Sequence, residues 1–526
     1  WEKSRMDNWR AGLTRTAASV VLALVSLGSA VILAGCGAKA ADPNTVTVAI
    51  ESSPTNLDPR IGVDAQSERI DELIFDSLVK KDAHFNLQPD LATSWDTPNP
   101  LTYIFHLRTR VKFQNGQPFT ARDVKWTLDS MRDHTILTAK YQAYRNVASI
   151  DAPDPQTIII HMKRPDSALL WSLCDGALGI VPYGSGRDFQ QHPIGTGPFR
   201  FVSQELDKEV VLERNPLSWQ TVPKIARLRF EVIPDEMTRA LALRKGSADI
   251  ASNALSPDMI WSMRNDKSLA VAESPGTVVQ YLTFNSRDPY LRDPRVRQAI
   301  AYAVNRPLII DTLLRGMARP ADSLLPPNHW AYTNDVAHYD YNPQRAKRLF
   351  DDAGLKPGSD GIRFHLTMKT SNDGGARELA MTLQQQLRAV GIALDVRSFE
   401  FATFYSDISH GSFGMYSLRW IGGNEDPDIF HYAFASASVP PHGANRGDYS
   451  NAQVDQWLQA ATSESDQAKR AVLYVQVQQT LAKEMPTLPL WYLDSIVIYN
   501  RRLSGGKSSP SGNFYFLETA IPHAAK

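Results

Sequence analysis

The chain has 526 residues, more than one ordinary core accommodates, so two or three domains are expected. Hydrophobic residues make up 43% and charged residues 21%, a globular balance. Lys plus Arg and Asp plus Glu are both 56, so the net charge is zero and the basic excess of a nucleic-acid binder is absent.

The N-terminal stretch reads as an export signal. Met6 is a candidate start, Arg10 and Arg15 form a basic region, and "AASVVLALVSLGSAVILAGC" follows as an apolar run ending in small residues. A spanning anchor needs about 20 apolar residues and usually a stop-transfer flank. Here the run closes in Leu-Ala-Gly-Cys at residues 33–36, the bacterial lipobox pattern. Cleavage before Cys36 and lipid on its thiol are expected, with an ordinary secretory signal as the alternative. Acyl chains contribute about 0.8 kcal/mol per buried CH₂ and hold a protein to a membrane face. The other cysteine, Cys174, sits in "LLWSLCDGALGI" and reads as a small buried hydrophobe.

A tether, "GAKAADPNT", leads to a first strand over residues 45–50. Ile70, Leu73, Ile74 and Leu78 recur at helical spacing in "QSERIDELIFDSLV". "TYIFHLR" and "VKFQNGQPF" read as strands, with an Asn115-Gly116 turn in the second. Thr120 and Asp123 form a near capping box for "TARDVKWTLDSMRD", whose Val124, Leu128 and Met131 share one face. "QTIIIHMKRP" is a strand stopped by Pro165. In "IGTGPFRFVSQ", Gly195 and Gly197 suggest a tight turn rather than a phosphate loop, because a strand follows and no Lys-Ser/Thr does. A strand at residues 278–285 precedes a helix with Asp293 as N-cap and Pro294 at N1. "NPQRAKRLFDDAG" repeats the device with Asn342, Pro343 and a terminating Gly354. "FHLTMKT", "ALDVRSF" and "GMYSLRW" alternate with the helix "ARELAMTLQQQLRAVG", an α/β order. The last strand is "SIVIYN".

Catalytic constellations are missing. There is no Gly-x-Ser-x-Gly elbow and no His-Glu-x-x-His helix. The 12 histidines are scattered, without a close pair at ligand spacing. "NEDPD" lacks the glycine and terminal glutamate of a calcium loop. Glu425 and Asp426 are adjacent, and adjacent strand residues point apart, so a glycosidase pair is disfavoured.

Taken together, "NLDP", "ARDVKWTLDSM", "HPIGTGPF", "YLTFN", "DPRVRQAIAYAVNRPLII", "AKRLFDDAG" and "RWIGGNEDPD" run in order behind the lipobox. The chain resembles an extracytoplasmic solute-binding protein of the bacterial ABC importers, family 5, the peptide, dipeptide and nickel group. The resemblance implies an α/β fold of the type II periplasmic-binding-protein kind: two lobes with a hinge, and an extra domain inserted in the first. The expected division is a signal peptide over 1–35 and a tether over 36–44. The first lobe is built from 45–82, 195–277 and 488–520, the inserted domain from 83–194, and the second lobe from 278–487. Neither catalysis, nor a cofactor, nor a metal site is implied. The implied partners are a peptide or other small solute, a cognate permease and ATPase complex, and a membrane reached through the lipid anchor. A monomer on the extracytoplasmic face is expected, without nucleic acid.

For such a protein a peptide is read through its backbone by strand addition. The receiving edges are expected at Gly62, Val63, Asp64 and Ala65 in the first lobe and at Trp420, Ile421, Gly422 and Gly423 in the second. Trp420 would wall a side-chain pocket, and the glycines would admit the ligand backbone. Tyr281, Asn285 and Tyr492 complete the candidate lining. Peptide binders of the family commonly carry an aspartate after the Trp for the ligand's ammonium; the slot here reads Gly423, with Glu425 and Asp426 downstream. The slot for a dipeptide's carboxylate-binding arginine reads Thr370. These departures favour an oligopeptide over a free dipeptide. A sugar or other solute, and a lipid-anchored hydrolase, are the alternatives.

Overall fold

Two large sheets and a smaller one carry the chain. The computed structural model describes residues 44–174, 176, 178–422 and 426–523. The stretch expected to be an export signal, Cys36 and the expected tether up to residue 43 lie outside them, as do Gly423, Asn424 and Glu425.

The first large sheet has seven strands, in the order Leu269–Ser274, Ser495–Asn500, Ile250–Ser252, Thr45–Ile50, Arg227–Val232, Glu209–Arg214 and Phe199–Glu205. Its central strand is buried on both faces, as the period of two predicts for a covered sheet. Val46, Val48 and Ile50 join Ile70, Leu73 and Ile74 in one core. Ala49 faces the other way, toward Leu243 and Ile498.

The helix Ala65–Ile74 stops one turn before Leu78, which packs instead into the core of the inserted layer. The reason is local. The Ile74 carbonyl accepts from the Gly197 amide and from Gln114 Nε2, both at 2.9 Å, so loop donors replace the next helical turn. This packing also explains the paired glycines. A Cβ on Gly195 would lie 2.0 Å from the Ile74 oxygen, and one on Gly197 would lie 2.7 Å from the Ile74 carbonyl carbon.

The inserted layer is a four-stranded sheet in the order Ala92–Asn99, Thr102–Leu107, Thr157–Met162 and Val147–Asp154. Helix Ala121–Arg132 covers one face through Val124, Leu128 and Met131, and its Asp123 carboxylate accepts from the Thr120 amide at 2.8 Å. "VKFQNGQPF" does not form the expected strand. It makes a hairpin closed by one Lys112–Pro118 bridge, with Gly116 at φ +85°, too short for a ladder. Cys174 is buried in this core.

The second large sheet has six strands, in the order Ala318–Pro320, Thr487–Leu493, Val279–Phe284, Met415–Trp420, Phe364–Ser371 and Ile392–Phe399. Helix Gly374–Arg388 links the parallel pair Phe364–Ser371 and Ile392–Phe399, the expected β-α-β unit. Helices Pro294–Ala303 and Pro343–Asp352 begin as predicted: Asp293 accepts from the Arg295 amide and Asn342 from the Arg345 amide. The crossing back to the first sheet was expected at residue 487. It lies later, at Asp494, because Thr487–Leu493 pairs with Val279–Phe284 inside the second sheet.

The two crossings lie against each other. The Leu493 amide donates to the Val278 carbonyl at 2.8 Å, and a Cβ on Gly276 would come within 2.2 Å of the Leu493 oxygen. We therefore expect Gly276→Ala to prise the crossings apart and to destabilise the fold by about 1–3 kcal/mol, as overpacking does. Denaturant titration reads this; an unchanged midpoint would show that the contact relaxes freely. A few further contacts tie the inserted layer to the six-stranded lobe. Asn328 Nδ2 donates to the Ala83 carbonyl at 2.6 Å, Phe85 stacks on His329 at 5.4 Å, and the Ser167 amide donates to Thr462 at 3.0 Å.

Candidate ligand site

The strand Met415–Trp420 brings Trp420 beside Tyr281. Its pairing sets Trp420 opposite Val279 and Leu418 opposite Tyr281. The Trp420 ring stacks on Tyr281 at 5.9 Å and meets the edge of Tyr432 at 6.2 Å. Pairing ends there. Ile421 is 66% exposed, and Gly422 takes φ +68° with open space where a side chain would be. Gly422 is thus required by its left-handed turn, whatever approaches it. The opposite face of the strand is polar: Arg419 Nε donates to Gln280 Oε1 at 2.9 Å, and Gln280 Nε2 donates to Ser417 Oγ at 2.6 Å.

On the first lobe, residues 62–65 form a helix start and not a strand. Asp64 is the N-cap of Ala65–Ile74; its carboxylate accepts from the Ser67 amide at 3.0 Å and from the Thr55 amide at 3.2 Å. Burial alone would raise this carboxyl, but hydrogen bonds from Ser67 and Thr55 outweigh it and hold the pKa below the usual range. Gly62 is forced by packing, since a Cβ would meet the Asn56 oxygen at 2.4 Å. Val63, 57% exposed, presents the larger apolar side chain of this group, beside an exposed Ala65.

Two candidates are placed as internal anchors. Asn285 Nδ2 donates to the carbonyls of Gly411 and Phe413 at 3.0 and 2.7 Å. Tyr492 is buried, its hydroxyl 2.8 and 2.6 Å from the carbonyls of Ser323 and Leu325. Both hold the six-stranded lobe together. Thr370 is also buried, 1% exposed.

Asp426 is committed to its own lobe. Its Oδ1 lies 3.2 Å from Arg470 Nη2 and accepts from the Asp428 amide at 2.7 Å. Burial pushes its pKa up to about 6, against the pull of Arg470. Arg470 also lies over the rings of Trp330 and Tyr474, at 5.5 and 5.6 Å. Gly423 and Glu425 lie outside the described residues.

Behind Trp420 is a narrow cleft, open to solvent and with roughly 20 Å³ of enclosed space, bounded by Tyr281, Tyr416, Phe434, Asn445 and Arg446. Asn445 is fully engaged: Nδ2 donates to Ala435 and Tyr449 carbonyls, and Oδ1 accepts from the Tyr449 amide. Arg446 was not legible as a site residue, because it stands in an irregular loop without a motif. A larger, charged cavity lies beside the inserted layer, with Asp71, Asp76, Lys140 and Glu518 in its wall. Asp76 accepts there from Thr196, Trp219 and Gln220, and burial raises Glu518 to about 7. Among the described residues no group of three His, Cys, Asp or Glu is arranged to hold a metal ion.

Two α/β lobes joined by paired crossings, with a third layer inserted in the first, define the class of type II periplasmic binding proteins. The family model of bacterial extracellular solute-binding proteins, family 5, matches residues 86–440, and the chain belongs to that family. It is 29% identical over 512 residues to the glutathione-binding protein GsiB of Escherichia coli O157:H7, covering 95% of this chain and 98% of the relative. Among solved structures it is similar to NikZ from Campylobacter jejuni in complex with Ni(L-His), with TM-score 0.76, 27% identity and coverage of 91% and 99% of the two chains. It is also similar to DppA from Helicobacter pylori in complex with peptide STSA, with TM-score 0.72, 26% identity and coverage of 91% and 98%. Among the described residues no helix is long and apolar enough to cross a membrane.

Proposed function

We propose that this chain is the lipid-anchored binding component of an ABC importer for peptides, oligopeptides rather than free dipeptides. It binds without transforming its solute and hands it to a permease and ATPase complex. The observation that carries the reading is the ending of the strand at Trp420: an aromatic wall, then an exposed Ile421 and an open Gly422, where an extended peptide can add its backbone. Family membership and relatives that carry glutathione-binding and peptide-complex names support it. The preference for longer peptides is supported by Asp426. Its carboxylate is held by Arg470, which leaves no described carboxylate at the ammonium slot. A longer peptide, read along its backbone, depends less on that slot.

One mass-spectrometric experiment addresses both parts. Solute released on denaturing protein purified from its own cells should be a peptide of more than two residues; a sugar or a nickel chelate would overturn the peptide reading. The intact mass should correspond to a chain that begins at Cys36 and carries acyl groups. An unmodified Cys36 would remove the anchor and leave the binding role.

A further inference from the structure

We infer that Arg446, on the wall of the pocket behind Trp420, is a specificity-determining residue that receives an acidic side chain of the bound peptide. The inference rests on the peptide reading above and goes beyond it to one side-chain subsite. Arg446 Nη2 donates to the Tyr405 hydroxyl at 2.6 Å, and the guanidinium lies 4.9 Å from the centre of that ring. Its other close electrostatic neighbours are the phenols of Tyr416 and Tyr281. Burial raises the pKa of both, so they stay neutral at physiological pH. Arg446 Nε is buried and has no hydrogen-bond acceptor.

The carboxylates on adjoining segments are already taken. Asp448 accepts from Arg287 Nε at 2.7 Å, and Glu484 accepts from Tyr449 and Asn451 at 2.6 and 2.9 Å. A guanidinium has five donors, no acceptor, and keeps its charge. A part-buried one whose strongest neighbours are neutral phenols is therefore short of an anion. A carboxylate matches its planar fork. The surrounding aromatic rings suit the methylene groups that would carry a glutamate head to it, and Asn445 has no polar atom left to compete.

The test is native mass spectrometry of the full protein with an equimolar pool of alanine tripeptides and tetrapeptides, each carrying one Glu or one Gln at a single position. Wild type should retain its best Glu peptide at least about tenfold over the matching Gln peptide, the scale of one charge-assisted hydrogen bond. Arg446→Gln should bring that ratio to about one. Arg446→Lys, which keeps a point charge and loses the fork, should keep part of it, and decides the matter if the Gln variant does not fold. A ratio near one in wild type, or a ratio unchanged in the variants, overturns the inference and leaves peptide binding intact. Retention of no peptide by wild type overturns the peptide reading, and the subsite with it.

Discussion

Asp426→Ala should destabilise the protein by about 3–5 kcal/mol, the range for removing one member of a buried ion pair. Arg470 has no way to escape by losing its proton, since a guanidinium stays charged. It would remain buried, with only the Tyr474 hydroxyl at 3.4 Å left to Nη2, and the Asp428 amide would lose its acceptor as well. Asp426→Asn should be milder, because the amide oxygen still accepts from both. Arg470→Met should also cost less than Asp426→Ala, because a carboxyl with a pKa already near 6 can take up a proton. The pH dependence has a definite sign. The folded pKa of Asp426 is raised, so its stabilising contribution is present at pH below the ordinary carboxylate value and is lost as pH rises through about 6. Denaturant titrations of wild type and Asp426→Asn across that interval should diverge accordingly. Equal midpoints for Ala and Asn variants would show that the pair carries no such load.

Trp420→Ala should lower peptide affinity by more than tenfold, with a smaller loss of stability than a core tryptophan would show. A fully buried Trp truncated to Ala loses about 3–5 kcal/mol of stability. Trp420 is only half-buried, at the last paired position of its strand, resting on Tyr281 and Tyr432. Its removal strips one side of the pocket and leaves the Tyr281 ring uncovered, while the strand pairing inward of it persists. Aromatic anchors at the centre of an interface commonly carry 2 kcal/mol or more of binding, roughly a thirtyfold change. Calorimetric titration and thermal melting on the same variant separate the two effects. Unchanged affinity with a collapsed melting temperature would make Trp420 a structural residue.

Much of the fold was legible because it depends on local signals. Asp293-Pro294 and Asn342-Pro343 announced helix starts by side chains that cap the nearest amides, and these sit where expected. The first helix ends earlier than its apolar spacing predicts, because Ile74 is satisfied by Gly197 and Gln114, residues far away in the chain. The return crossing lies later than local pattern predicts for the same kind of reason: strand Thr487–Leu493 belongs to the second sheet through its pairing, which no local pattern reveals. The stacking of Trp420 on Tyr281 follows from their places on paired strands, whereas the polar surroundings depend on long-range contacts. Tyr492, across Val279 from Trp420, and Asn285, past the far end of the same strand, both turn their hydrogen bonds inward to carbonyls. Arg446 reaches the pocket from a loop whose sequence carries no period or motif.

If solute is captured between the lobes, as proposed, the lobes must move about the crossings at Gly276 and Asp494. Contacts between the inserted layer and the six-stranded lobe, among them those of Asn328, Phe85, Ser167 and Gln467, would then break and remake. Small-angle scattering of solute-stripped protein, before and after saturation with the peptide it carries, measures that motion directly. The account predicts a smaller radius of gyration with peptide bound. An unchanged radius, with the peptide shown by calorimetry to be bound, would contradict it.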